Sequence, residues 1–200
     1  LEDTAEVARN LFAVWLSSSQ RALLAEVFGS EQSAHKLAIW LGASHDVGKS
    51  TSIFAMKAPA CRSRMEDAGY IFPAPAPPRD EQRKYPHGLA GQRAVQGYLS
   101  SKIPDASERR GVRAARALAE VVGGHHGVFS GNAALRDIPF LLAAGEDPTW
   151  SRVREELLKR ADAIAGIEDS EWGEILDRRI PETAQVLLNG FLIVCDWIAS

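Results

Sequence analysis

Apolar residues recur every three or four positions along most of the chain, the spacing of one buried helix face. Val7, Ala8, Leu11, Phe12 and Trp15 form the first such face, with Asp3 or Thr4 as N-cap. A second helix covers about 20–28 and stops at Gly29. Ser30 caps a third, whose buried face is Ala34, Leu37, Ala38 and Leu41. Residues 50–68 read as helix interrupted near Pro59 and ended by Gly69. Over 70–86, Pro73, Pro75, Pro77, Pro78 and Pro86 remove backbone donors and exclude helix, so a loop is expected. Helices follow at 87–101 and about 106–122, the second ended by Gly123-Gly124, and 127–147 looks irregular. Asp147 and Pro148 then supply the N-cap and first position of a helix to Ala165. The last helix starts near Pro181 and is apolar nearly all round, which predicts burial. No strand pattern and no internal repeat interrupts this series. The fold class is all-α.

The 200 residues suit one domain, 1–200, able to bury a core without disulfide or metal staples. Cys61 and Cys195 lie far apart and outside any C-x-x-C pattern, which fits a reducing cytoplasm. The chain begins at Leu1 with no signal-peptide pattern, as expected of a domain cut from something longer. Asn189 and Asp196 interrupt the apolar run from Val186 to Ala199, so no membrane span is expected. The net charge of -3 counts mildly against nucleic acid. Two divalent cations would bring it to about +1, concentrated where they bind.

That possibility matters because four of the five histidines stand at marked positions. His45-Asp46 follows the third helix, His87 opens a helix after the proline-rich loop, and His125-His126 sits between glycines. Asp196 lies inside the apolar last helix, where an ionised carboxylate is costly unless it is paired or bound to metal. Taken singly, Asp196 reads as a core-rim acid paired with an arginine, His87 as a cap, and His-Asp as chance. Glycines let a turn bring His125 and His126 to one point. Together the set offers four imidazoles and two carboxylates with no cysteine, which argues against a closed structural zinc site. Such ligands suit one or two ions of Mn, Fe, Co, Ni or Zn more than Mg. Asp46 has two oxygens and can bridge ions about 3.5–4 Å apart, the clamp used for phosphoryl displacement.

The order His-Asp, His, His-His, Asp resembles the HD superfamily of metal-dependent phosphohydrolases. More narrowly, the chain resembles the HD nuclease domain of the type I CRISPR helicase-nuclease. The carrying segments are Leu1 to Ala5, His45-Asp46-Val47-Gly48-Lys49, Pro86-His87-Gly88, Gly124-His125-His126-Gly127 and Asp196-Trp197-Ile198-Ala199-Ser200. The resemblance implies an HD helical bundle with its metal site at helix ends and in the C-terminal helix. It implies that His45, Asp46 and Asp196 ligate a first metal, and Asp46, His87, His125 and His126 a second. Asp46 and Lys49 are the implied catalytic residues, Lys49 facing the scissile phosphate. The implied activity is cleavage of single-stranded DNA in CRISPR antiviral defence. The implied partners are a helicase in the same or a separate chain, which would deliver the strand, and an RNA-guided surveillance complex. The family carries one more metal-binding histidine just before the Asp3-Thr4-Ala5 helix. That position precedes Leu1, so tighter binding of the second metal than of the first is expected.

Gly48-Lys49-Ser50 is no phosphate-binding P-loop, because position 43 is Ala and no strand precedes it. Arg109, Arg113 and Arg116 share a helix face leading towards His125 and are candidate nucleic-acid contacts, or else an ordinary solvated face. Trp15, Trp40 and Trp197 read as core. Two further functional readings stay open at this point: hydrolysis of small or cyclic nucleotides, and an inactive scaffold that binds partner proteins.

Overall fold

The computed structural model describes residues 1–74, 76, 78, 85–103, 108–129 and 147–200. Helix α1 covers Glu2–Trp15 and α2 covers Ser18–Phe28. Leu1, not Asp3 or Thr4, precedes the first turn, and no side chain caps it. A capping box opens α2: Ser17 Oγ accepts the Gln20 amide at 3.3 Å, and Gln20 Oε1 accepts the Ser17 amide at 2.8 Å. Gly29 ends α2 at φ 91°, a left-handed conformation that costs glycine least. Ser30 Oγ then accepts the Ser33 amide at 2.9 Å and starts α3, Glu31–Ser44.

Helix α3 is the axis of the fold. Every residue from Leu37 to Ser44 is buried, beneath α1 and α2 and the later helices α8, Pro148–Ala165, and α10, Glu182–Ala199. Small residues set the closest approach: a Cβ on Gly42 would lie 2.9 Å from the Thr4 carbonyl oxygen of α1. A 3-10 turn, Val47–Lys49, follows, then α4, Ser52–Ala55, and α5, Pro59–Asp67. Helices α6, His87–Ser100, and α7, Glu108–Gly123, pack on each other, and α6 also packs against the Val47–Lys49 turn. Asp147 caps α8 through the Thr149 amide at 2.8 Å, as the Asp-Pro pair predicts. Among the described residues there is no strand. Parts of the expected loops at 70–86 and 127–147 fall outside those residues.

Helix α9, Asp169–Leu176, is absent from the sequence expectation. Its signal was available: Glu168 and Glu171 form a capping box, and Trp172, Ile175 and Leu176 are buried at helical spacing. The other corrections concern tryptophans and the last helix. Trp40 is fully buried and meets Trp172 edge-on, with ring centroids 5.0 Å apart. Trp197 is 77% exposed and Trp15 47%, so neither is core. Helix α10 buries Ala184, Leu188, Asn189, Phe191, Leu192 and Cys195 but leaves Val186, Trp197 and Ile198 in solvent. An all-apolar helix gives no polar face from which to read its outward side, which is why burial was over-assigned. By length and composition alone α10 is long and apolar enough to cross a membrane. Here it packs on α1, α3 and α7 and carries Asp196.

A carboxylate joins four of these helices. Asp162 on α8 accepts from Trp40 Nε1 at 2.8 Å, Trp172 Nε1 at 3.1 Å and Tyr98 Oη at 2.5 Å. Lys102 Nζ lies 3.1 Å from the same side chain. Burial, and then the bond to Asp162, push the Tyr98 phenol well above its ordinary range, so it stays a donor.

Candidate metal centre

Each marked residue stands where an element ends or turns. His45 ends α3, and its Nδ1–H donates to the Gly42 carbonyl at 2.8 Å. His125 lies in the turn after α7, and its Nδ1–H donates to the Val122 carbonyl at 2.6 Å. A carbonyl only accepts, so in both rings Nδ1 holds the proton and Nε2 presents its lone pair. These are the outer hydrogen bonds that orient metal-ligating imidazoles. His87 is the first residue of α6, its ring edge-on to Phe54 with centroids 5.4 Å apart. Phe54 is a neighbour that the sequence did not single out.

The Asp46 carboxylate sits between two sets of nitrogens. Its Oδ1 is 3.3 Å from His87 Nε2 and 3.7 Å from His125 Nε2. Its Oδ2 is 3.3 Å from His45 Nε2 and 2.6 Å from Lys49 Nζ. From α10, Asp196 Oδ1 reaches to 3.2 Å from His45 Nε2, and Ser200 Oγ bonds back to Asp196 at 3.2 Å. On the far side, His87 Nε2 lies 3.3 Å from His125 Nε2 and 2.9 Å from His126 Nε2. The fold therefore gathers two adjoining groups: His45, Asp46 and Asp196, and His87, His125 and His126. Within each group the donor atoms lie within 4.8 Å of one another.

Two observations fit these groups to a cation. His45 Nε2 is buried and makes no hydrogen bond, although two carboxylates stand beside it. A buried unmatched lone pair is costly unless something positive meets it. In the second group, three Nε2 atoms face one another at spacings of 2.9 and 3.3 Å. Two bonds of about 2.0–2.1 Å from one metal, 90–110° apart, place their nitrogens at about this spacing.

Electrostatics follow the same layout. Burial alone would raise the Asp46 carboxyl, but the His45, His87 and Lys49 side chains beside it outweigh burial and hold the group well below the usual carboxylate range. Burial pushes His45 down, and Asp46 pulls it back above its ordinary value. Burial, helped by the charges of His126 and His45, drives His125 down to about 4, so its lone pair is available at neutral pH. Burial and the His87 charge lower His126.

Gly48 lets the two halves of the cluster meet. A Cβ there would overlap the His87 carbonyl oxygen and lie 2.5 Å from the Gly91 amide nitrogen, both backbone atoms that cannot swing aside. Gly48→Ala is expected to push α6 from the Asp46 turn and to destabilise the fold by about 1–3 kcal/mol, the cost of overpacking. Urea unfolding and metal titration of this variant check the point: stability and affinity should fall together.

The arginines predicted to meet nucleic acid lie on the exposed side of α7. Arg116 Nε pairs with Glu120 at 2.8 Å and Arg110 Nη1 with Asp177 at 3.4 Å, while Arg109 and Arg113 are exposed on the same helix.

The family model described as "Cas3, HD domain" matches residues 1–200. A "CRISPR-associated nuclease/helicase Cas3" of Streptococcus thermophilus is 28% identical over 220 residues, covering 100% of this chain and 22% of that protein. A solved structure titled "Crystal structure of CRISPR-associated protein" is 26% identical, with a TM-score of 0.76, and covers 99% of this chain and 20% of that one. The chain thus spans about a fifth of the length of each relative. Matched from end to end, it belongs to the Cas3 HD-domain family.

Proposed function

We propose that this chain is a metal-dependent nuclease domain that hydrolyses phosphodiester bonds of single-stranded DNA in CRISPR antiviral defence. The observation that carries the reading is the convergence of four imidazoles and two carboxylates around Asp46, with a buried, unmatched His45 Nε2 among them. His45, Asp46 and Asp196 would hold one divalent ion, and Asp46, His87, His125 and His126 a second. The nitrogen and oxygen donors favour Mn, Fe, Co, Ni or Zn over Mg. Such ions would supply positive charge to the phosphodiester and acidify a water near neutral pH.

The chain's own residues set the geometry of that attack. Asp46 turns one oxygen to each group and so fixes their separation. The Gly42 and Val122 carbonyls hold His45 and His125 in the ligating tautomer. Lys49, 44% exposed, brings its ammonium to the open side of Asp46, where a substrate phosphate arrives. Arg109, Arg113 and Arg116 draw a strand along α7 towards His125. Residues 1–200 act as one nuclease domain joined to, or partnered by, a helicase that feeds it the strand. The family relative's printed description as a nuclease/helicase supports that partnership, as does the small share of it that this chain spans. An RNA-guided surveillance complex is the upstream partner. Cys61 and Cys195 are both free thiols, which supports a cytoplasmic setting.

Incubation with single-stranded DNA, duplex DNA, cyclic nucleotides and nucleoside triphosphates under Mn or Ni tests the reading. Single-stranded DNA should be cut and the small nucleotides left intact. Lys49→Ala should slow cleavage while leaving bound metal unchanged, because Lys49 supplies charge and not a ligand. Turnover of cyclic nucleotides alone would replace this reading with a small-molecule phosphohydrolase. No turnover of any substrate with metal bound would make the domain a scaffold.

A further inference from the structure

A second concave site lies between α6 and α8, lined by none of the residues gathered at the metal centre. Its volume is about 390 Å³, at the small end of the roughly 300–1,000 Å³ of small-molecule pockets. One wall is the face of α6 that begins at His87: Ala90, Ala94, Gly97 and Ser101 follow at intervals of three and four residues. These small side chains keep the wall low, and a Cβ built on Gly97 meets nothing within 4 Å. The Tyr98 ring and Leu158 add apolar surface.

Two arginines line this cavity, Arg93 from α6 and Arg154 from α8, together with Thr51 and Ser151. The acidic lining residue Glu155 pairs with Lys159 at 2.9 Å, which offsets its charge. Arginine guanidiniums are planar forks matched to phosphate oxygens, and an apolar wall in the same cavity suits a sugar and base. An amphipathic site of this size fits one phosphorylated nucleoside. Arg154 Nη1 also donates to the Ser50 carbonyl at 2.8 Å, and the Ser50 amide donates to Val47 O at 3.1 Å. The cavity thus shares a side chain with the end of the turn that follows Asp46.

We propose that this cavity binds a nucleotide through its phosphate, held by Arg93 and Arg154, separately from the metal centre. The nucleotide is either free or one unit of a substrate strand. Occupancy engages Arg154 and is felt at Ser50, at the end of the Val47–Lys49 turn.

Calorimetric titration of the chain with thymidine 5′-monophosphate, thymidine and a 5′-phosphorylated thymidine tetranucleotide tests this. The variants are Arg93→Gln, an exposed substitution, and Gly97→Glu, which places a carboxylate in open space facing the phosphate. The monophosphate should bind at least about tenfold more tightly than thymidine, a factor worth about 1.4 kcal/mol. Each variant should lose about tenfold or more while its metal content stays at the wild-type level. Variant-sensitive binding of the monophosphate identifies a free nucleotide as sufficient. Variant-sensitive binding of the tetranucleotide alone identifies a unit of the strand. Equal binding of both phosphorylated probes by wild type and both variants would overturn the proposal, as would thymidine binding as tightly as its monophosphate.

Discussion

Asp46→Ala is expected to remove metal-dependent cleavage while leaving the helical fold in place. The side chain lies within 3.3 Å of His45 Nε2 and of His87 Nε2, one oxygen to each, and among the described residues no other carboxylate sits between the two groups in this way. Losing an outer partner of a metal ligand costs about 10–100-fold in affinity, and losing a ligand shared by two ions should exceed that. Cleavage should therefore fall by more than about 100-fold at limiting metal. Asp46 is partly exposed, at 25% of its side chain, so the fold does not depend on it as it would on a core residue. Cleavage rate, circular dichroism and metal content of the variant read the three parts separately. Wild-type cutting by Asp46→Ala under excess Mn would remove Asp46 from the mechanism.

The cluster was legible in the sequence because its chemistry is sparse and its positions are marked. Few histidines are present, and those of the cluster fall at element ends or between glycines, where turns bring side chains together. Ser30 and Asp147 announced their helix boundaries through local hydrogen bonds, and Gly29 through its left-handed backbone, all set by a few neighbouring residues. Trp197 was misread because hydrophobicity does not say which side of an apolar helix faces water. Phe54 and Asp162 were missed for another reason. Their partners come from distant elements, and the Trp40–Asp162 bond spans 122 residues of chain. In sequence Asp162 looks like any acid among Lys159 and Arg160 on a solvated helix.

Asp162→Ala should be among the most destabilising single substitutions in the chain, at about 3–5 kcal/mol, the usual cost of breaking a buried charged network. It would leave the Trp40 and Trp172 indole N–H groups and the Tyr98 hydroxyl without their acceptor and Lys102 without one of its two carboxylates. Each buried donor left unmatched costs about 1–3 kcal/mol, and the side chain is only 13% exposed, so water replaces little of the loss. The urea midpoint should drop sharply with little change in the slope. Asp162→Asn keeps an acceptor oxygen and should lose less. A loss below about 1 kcal/mol for Asp162→Ala would mean that the four partners find other acceptors.

The central claim is that the gathered histidines and aspartates form a metal centre. Anomalous diffraction from crystals of the chain soaked in Mn tests it most directly. The account predicts one peak about 2.0–2.3 Å from His87, His125 and His126 Nε2 and Asp46, and a second at that range from His45 Nε2, Asp46 and Asp196. Manganese bound only elsewhere on the surface, with neither group occupied at saturating metal, would contradict it.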